Sequence, residues 1–172
     1  MKSAPQQTTT TVCYQSPIGP LVIEGLPTAL TAIHWPDQKA DLAGAKSVIG
    51  AAEKHALPTL LKETLSQLNE YFAGTRKAFD LPIAPEGTGF QQQVWQVLED
   101  IPWGSTLSYG QVAHSIEKPR AVRAVGRAIG ANPIPIIIPC HRVIGSTGAL
   151  TGFAGGLERK KWLLQHEGYP IS

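Results

Sequence analysis

The stretch 108-SYGQVAHSIEKPRAVRAVGRAIGAN-132 decides the fold of the second half of the chain. Ser108 and Gln111 stand three residues apart, as a capping box requires, and predict a short helix over YGQVAHSI. EKP then breaks the chain, and Pro119 opens a second helix, RAVRAVGRAIGAN. Two short helices across a tight turn are the layout of a helix-turn-helix. At about 100° per residue, Arg120, Arg123 and Arg127 fall within about 60° of one another. Val122, Val125 and Ile129 lie largely opposite, while Ala121, Ala124 and Gly126 keep the remainder thin. A helix this slim can approach another macromolecule and present guanidinium groups to phosphates. A basic stripe alone is as readily a solvated face; the helix-turn-helix context favours nucleic acid.

Immediately downstream comes 132-NPIPIIIPCHRVIG-145. Pro133, Pro135 and Pro139 each lack an N–H donor, so this segment cannot form a complete central ladder. It should run extended and deliver Cys140 at its end, with His141 and Arg142 following where a core strand would stay apolar. A thiol of ordinary pKa ~8.5 is mostly unreactive at neutral pH, and apolar burial raises that pKa. The chemistry needs a base, and His141 can take the proton directly or through water. A carboxylate should orient the imidazole: Glu167 in LLQHEG is the first candidate, Glu158 the second. Cys13, on an apolar stretch with no basic neighbour, reads as a small core hydrophobe.

Farther out, 88-TGFQ-91 repeats the capping-box signature ahead of a helix bearing Phe90, Val94, Val97, Leu98 and Ile101. LERKKWLLQHEG forms the last helix. Upstream, VCYQS, GPLVIEG and TALTAIHW read as strands, and KAFDLPI as a further one. PTLLKETLSQLNEYFAGT is a helix with Pro58 in its first turn, a stripe of Leu61, Leu65, Leu68 and Phe72, and Gly74 at its end. Residues 37 to 56 read as a surface loop with a helical turn. The expected divisions are a disordered polar tail (1–11), an N-terminal α/β domain (12–84), a linker (85–89) and a helical C-terminal domain (90–172).

The 172 residues, 42% apolar and 16% charged, describe a folded chain long enough for a real core. Two cysteines give no disulfide framework. MKSAPQQTTTT has no apolar run after its lysine, and no stretch approaches ~18 apolar residues, so a cytoplasmic protein without membrane contact is expected. The net charge of +2 is small, and all of it arises after residue 85, where eight basic residues face six acidic ones. The five histidines, at 34, 55, 114, 141 and 166, form no H-x-x-H pair, and no C-x-x-C exists. TGFAGG lacks the strand, lysine and spacing of a phosphate loop. No metal and no cofactor are expected.

IPCHRVIG followed by TGFAGGLERKKWLLQHEG, and preceded by LSYGQVA and RAVRAVGRAIGANP, resembles the O6-alkylguanine-DNA alkyltransferase family, proteins that move an alkyl group from guanine O6 onto their own cysteine. Over residues 1–85 the resemblance rests on the strand pattern and NEYFAGTRKAFDLPI. It implies a ribonuclease H-like first domain and a winged helix-turn-helix second domain. It implies Cys140 as alkyl acceptor, His141 as base through a water, and Glu167 as its orienting group. Tyr109 would protonate the departing guanine, and Asn132 would brace the turn. The implied partner is double-stranded DNA, met in the minor groove by a monomer, with cooperation between molecules left open. Arg123 would fill the gap of the flipped alkylated guanine, on a surface that takes in Ser108, Arg120, Ala121, Ala124, Gly126 and Arg127. Pro135, Val143, Phe153 and Ala154 would line the substrate pocket, with O4-alkylthymine a further candidate substrate. Some relatives carry Tyr-Ser where this chain has Phe153-Ala154, which removes one donor to guanine O6. Some bind zinc through Cys and His ligands that Cys13 and His34 alone cannot supply. Two rivals remain: a DNA-binding module in which Cys140 is structural, and a thiol hydrolase using Cys140 and His141.

Overall fold

The computed structural model describes residues 8–36, 46–47 and 56–171. In the first domain, β1 (Thr10–Ser16), β2 (Gly19–Gly25) and β3 (Leu30–His34) form an antiparallel meander. The short β4 (Lys46–Ser47) pairs in parallel with β1, giving the order β3-β2-β1-β4. Thr10 and Thr11, expected in the polar tail, are instead the first residues of β1, opposite Gly25 and Glu24. Apart from β4 and residue 56, the loop expected over 37–56 lies outside the described residues.

Helix α1 (Thr59–Phe72) follows Pro58 and lays Leu61, Leu65 and Leu68 into the core shared with Leu21, Ile23 and Ile33, with Phe72 half-buried. Gly74, at φ +77°, takes the left-handed conformation that stops the helix. The strand expected at KAFDLPI does not form; a single bridge joins Ile83 to Leu30. Two causes act here. Pro82 has no N–H to give a ladder, and the Gln67 side chain occupies both backbone groups of Asp80, at 2.9 Å each. The segment instead covers the edge of β3 through Leu30 N–H to Pro82 O and Ala84 N–H to Leu30 O, both 2.8 Å.

The second domain opens with α2 (Gly89–Glu99), capped by the Thr88–Gln91 box. Val94, Leu98 and Ile101 are buried as the sequence pattern demands. Trp95 is buried too, and its indole N–H donates to Ala128 O at 2.8 Å, which ties α2 to the arginine helix. β5 (Leu107–Ser108) leads into α3 (Tyr109–Ser115), capped by Ser108 and Gln111. The next helix, α4, spans Val122–Gly130, so it begins three residues after Pro119 rather than at it. A 3₁₀ turn (Cys140–Arg142) and β6 (Val143–Ile144) follow, β6 pairing in parallel with β5; α5 (Leu157–His166) closes the domain.

The two domains share one apolar cluster and a hydrogen bond from Ile33 N–H of β3 to Pro133 O, 2.8 Å. The edge of the first sheet therefore supports the very segment that carries Cys140. No helix among the described residues is long and apolar enough to cross a membrane.

Candidate active site

Three local devices build the segment 132–142. Asn132 supplies the hydrogen bonds that the prolines cannot: its Nδ2 donates to Ile138 O at 2.8 Å, and its Oδ1 accepts from Ile134 N–H at 2.9 Å. Ile138 N–H returns to Ile134 O, closing the turn, and Cys140 N–H donates to Ile138 O at 2.8 Å. Within this brace Ile136 sits at φ +76°, a region that β-branched residues avoid, and its buried side chain is locked there by the core. The turn ends with Cys140 buried at the start of the 3₁₀ turn.

Glu167 comes from the other end of the domain. Gly168, at φ +80°, ends α5: Gly168 N–H donates to Gln165 O and Tyr169 N–H to Leu164 O, the Schellman pattern. This stop leaves Glu167 as the C-cap, with its carboxylate buried beside the 3₁₀ turn. His141 Nε2 lies 2.8 Å from Glu167 Oε1. Since the carboxylate can only accept, the imidazole carries its proton on Nε2. His141 Nδ1 is then a buried lone pair with no hydrogen-bond partner among the described residues. The alternative carboxylate, Glu158, is exposed in the first turn of α5.

Three further residues belong to this cluster. Arg142 donates from Nε to Glu167 Oε2 (2.8 Å) and from Nη2 to Oε1 (2.9 Å), with Nη1 on Ile101 O. Tyr71 of α1 donates its hydroxyl proton to Glu167 Oε1 at 2.7 Å. Lys160 is fully buried and its ammonium donates to Val143 O, Thr151 O and Gly152 O. The sequence assigns a role to none of the three. The signal for Arg142 was present, a second charge in a segment that should be apolar; Tyr71 and Lys160 read as ordinary helix residues.

These neighbours set the electrostatics. Burial pushes the Cys140 thiol up to about 11, opposed by the Asn132 side chain and the Lys160 charge. Burial likewise lowers the His141 pKa, against the pull of Glu167. For Glu167 burial alone would raise the carboxyl, but His141 and Arg142 overturn it and hold it well below the usual range. Burial brings Lys160 down to about 8, with Cys140 acting the other way. At neutral pH the resting site is a neutral thiol and a neutral imidazole beside an Arg–Glu pair.

On the outer side, Tyr109 at the start of α3 is half-buried, and its hydroxyl donates to Thr151 O at 2.9 Å. Gly126 of α4 faces that ring, where an added Cβ would lie 3.9 Å from it. Arg120, Arg123, Ala124 and Arg127 are exposed, and Ala121 is half-exposed as the N-cap of α4. The Ser108 hydroxyl is occupied in capping α3. Pro135 and Val143 are buried, Ala154 is exposed, and Phe153 is half-buried with its ring edge-on to Trp35 at 5.6 Å. Thus the structure gathers Cys140, His141, Glu167 and Asn132 tightly, and brings Tyr109, Thr151 and Val143 together around Lys160. Among the described residues, no three His, Cys, Asp or Glu side chains group as a metal site.

Fold and site together define a two-domain protein, a small β-sheet domain and a helical domain, built around a buried cysteine–histidine–glutamate cluster. The model of the 6-O-methylguanine DNA methyltransferase DNA binding domain matches residues 89–169, and that of the family's ribonuclease-like domain matches residues 11–85. A methylated-DNA–protein-cysteine methyltransferase of Methanosarcina acetivorans is 44% identical over 155 residues, 90% of this chain and 96% of the relative. One of Mycobacterium tuberculosis is 45% identical over 154 residues, 88% of each. The crystal structure of Mycobacterium tuberculosis OGT in complex with DNA aligns with a TM-score of 0.80 at 43% identity, covering 92% of each chain. The chain belongs to the 6-O-methylguanine DNA methyltransferase family.

Proposed function

We propose that this protein repairs DNA by direct reversal, moving a methyl or other alkyl group from guanine O6 to the sulfur of Cys140 in one irreversible turnover. The observation that carries this reading is the buried Cys140 followed by an imidazole whose Nε2 is tied to Glu167 and whose Nδ1 lone pair is unpartnered. His141 takes the thiol proton at Nδ1, directly or through a water. Glu167 steadies the resulting imidazolium, and the Lys160 ammonium favours the thiolate. The sulfur attacks the alkyl carbon, the bond from that carbon to O6 breaks, and its electron pair leaves with guanine. Tyr109 supplies the proton that neutralises the departing base. The product is a thioether that nothing in the site can readily cleave, so each molecule reacts once. Holding the sulfur near attack distance supplies much of the rate.

Double-stranded DNA is the partner. On this reading α3 and α4 act as a winged helix-turn-helix at the minor groove, and the exposed Arg123 occupies the gap left by the flipped nucleotide. Arg120 and Arg127 meet phosphates, and Ala121, Ala124 and Gly126 let the helix approach, with Ser108 at the border. Pro135, Val143, Phe153 and Ala154 shape the base pocket; with Ala154 in that position, donation to O6 rests on Tyr109 and backbone N–H groups. The first domain, from β1 to residue 84 and ribonuclease H-like, buttresses the cysteine segment; residues 85–87 link it to the second, which opens at the Thr88 cap of α2.

The test is direct. Mixed with duplex DNA containing O6-methylguanine, the protein should gain one methyl mass on the Cys140 peptide in stoichiometric yield. Methyl on Cys13, or many turnovers per molecule, would overturn the assignment. Cys140→Ala should keep DNA binding and lose transfer; full activity in that variant would leave a DNA-binding module instead.

A further inference from the structure

We infer that Tyr71, from the first domain, is a positioning residue of the thiol-activating relay, setting the proton affinity of His141 through the carboxylate they share. The inference rests on the proposed roles of Cys140 and His141. Glu167 Oε1 receives three donors: the Tyr71 hydroxyl at 2.7 Å, His141 Nε2 at 2.8 Å and Arg142 Nη2 at 2.9 Å. The hydroxyl arrives from 96 residues away in sequence, across the domain boundary.

Its aim is fixed by packing. The fully buried Tyr71 ring meets Phe72, Phe79, Trp103 and His166 at centroid distances of 5.2 to 5.4 Å. The His166 ring N–H also donates to Tyr71 O at 2.7 Å, which holds the end of α1 against α5. Burial and the neighbouring Glu167 push the Tyr71 phenol well above its ordinary range, so it stays protonated and donates. None of this places Tyr71 against the thiol. It acts through Glu167.

The direction follows from charge sharing. A carboxylate oxygen that already receives a neutral O–H has less negative charge to offer an imidazolium. Removing the hydroxyl leaves that oxygen to His141 and Arg142, and the imidazolium becomes easier to form. The other charges around the imidazole stay in place: Arg142 on the 3₁₀ turn and Lys160 on α5, both disfavouring the imidazolium. Among the described residues, Cys140 on the 3₁₀ turn and His166 at the end of α5 are further titratable groups beside the cluster.

The experiment is the pH profile of the single-turnover rate on duplex O6-methylguanine DNA. Transfer needs neutral His141, so the rate falls on the acid side as His141 protonates. In Tyr71→Phe, which keeps the ring and loses the hydroxyl, that limb should move to higher pH by about half a unit to one unit. Tyr71→Met, a second donor-less variant with a flexible apolar filler, should move it the same way. A lower rate with an unmoved limb in either folded variant would overturn the inference and leave Tyr71 a packing residue, as would failure of both variants to fold. If the unaltered protein transferred no methyl to Cys140, the reading of the site itself would fall instead.

Discussion

Replacing Arg142 with methionine tests whether the cluster beneath Cys140 is the buried charge network that its geometry describes. Arg142 is 6% exposed, and its guanidinium makes two hydrogen bonds to Glu167 and one to Ile101 O. Methionine fills much of the volume without a donor. The variant leaves the Glu167 carboxylate buried with only His141 and Tyr71, and strips Ile101 O of its side-chain donor. Breaking one side of a buried pair costs about 3–5 kcal/mol, because the remaining charge is uncompensated. The three bonds taken separately would sum toward the top of that range or above it, but they belong to one guanidinium and are not additive. Set against a total stability of roughly 5–15 kcal/mol, the loss is severe. Urea denaturation at pH 7 should show the midpoint falling by about 1.5–2.5 M for a slope near 2 kcal/mol/M, with the slope itself unchanged.

The pH dependence sharpens this test. Glu167 is held well below the ordinary carboxyl range. Its contribution is therefore fully present above the unfolded value of ~4.3 and is lost as pH falls through the folded value. Arg142→Met removes one source of that depression. The stability gap between parent and variant should be largest at neutral pH and narrow below about pH 4. A loss under about 1 kcal/mol, the scale of a surface ion pair, or a gap identical at pH 7 and pH 3, would refute the reasoning.

Asn132→Ala removes both side-chain hydrogen bonds that brace the turn and should cost about 2 kcal/mol. It should also slow alkyl transfer at least about tenfold, as Ile136 relaxes and Cys140 loses its position, read by thermal melting and single-turnover kinetics. In Gly155→Ala the added Cβ would lie 2.6 Å from Phe153 and 2.8 Å from Trp35, two rings packed against each other, so melting should show a loss of about 1–3 kcal/mol. Arg123→Ala should slow repair of duplex DNA and spare transfer from free O6-benzylguanine; equal losses on both substrates would contradict a role in filling the helix gap.

What was legible in the sequence was local. The capping boxes at Thr88 and Ser108 rest on residues three apart and hold in the structure. So do β1, β2 and β3 and the leucine stripe of α1, each fixed by its own periodicity, whereas β4 falls in a stretch that reads as loop. KAFDLPI was misread because its pattern is strand-like while its donors and acceptors are spoken for, by Pro82 within the segment and by Gln67 from a helix turn well before it. The buried cluster was legible in half. Cys140 and His141 announce themselves by residue type and Glu167 was the first of two candidate carboxylates, but Arg142 acquires its meaning only from a carboxylate 25 residues on, Lys160 from a carbonyl 17 residues back and Tyr71 from a partner 96 residues away. Buried charge has no sequence period, since its position is set by whichever partner the fold supplies.

Burial of the nucleophile looks at first like a handicap, because it drives the thiol to about 11 and makes the thiolate scarce. For a protein that reacts once, the balance runs the other way. The nucleophilicity of a thiolate rises with its pKa, with a Brønsted slope of roughly 0.4–0.5, so the anion regains in reactivity part of what it loses in population. A neutral, enclosed sulfur is also shielded from oxidants and stray electrophiles in the meantime. The cost of making the anion is met on demand. On the roles proposed above, His141 takes the proton, Glu167 steadies the imidazolium so formed, and the buried Lys160 ammonium, held by three backbone carbonyls, favours the thiolate. A solvent-exposed thiol of low pKa would attack sooner but less selectively, and every wasted encounter would destroy a molecule. On the proposed roles, the buried groups beside Cys140 thus let a single-use sulfur be both protected and competent.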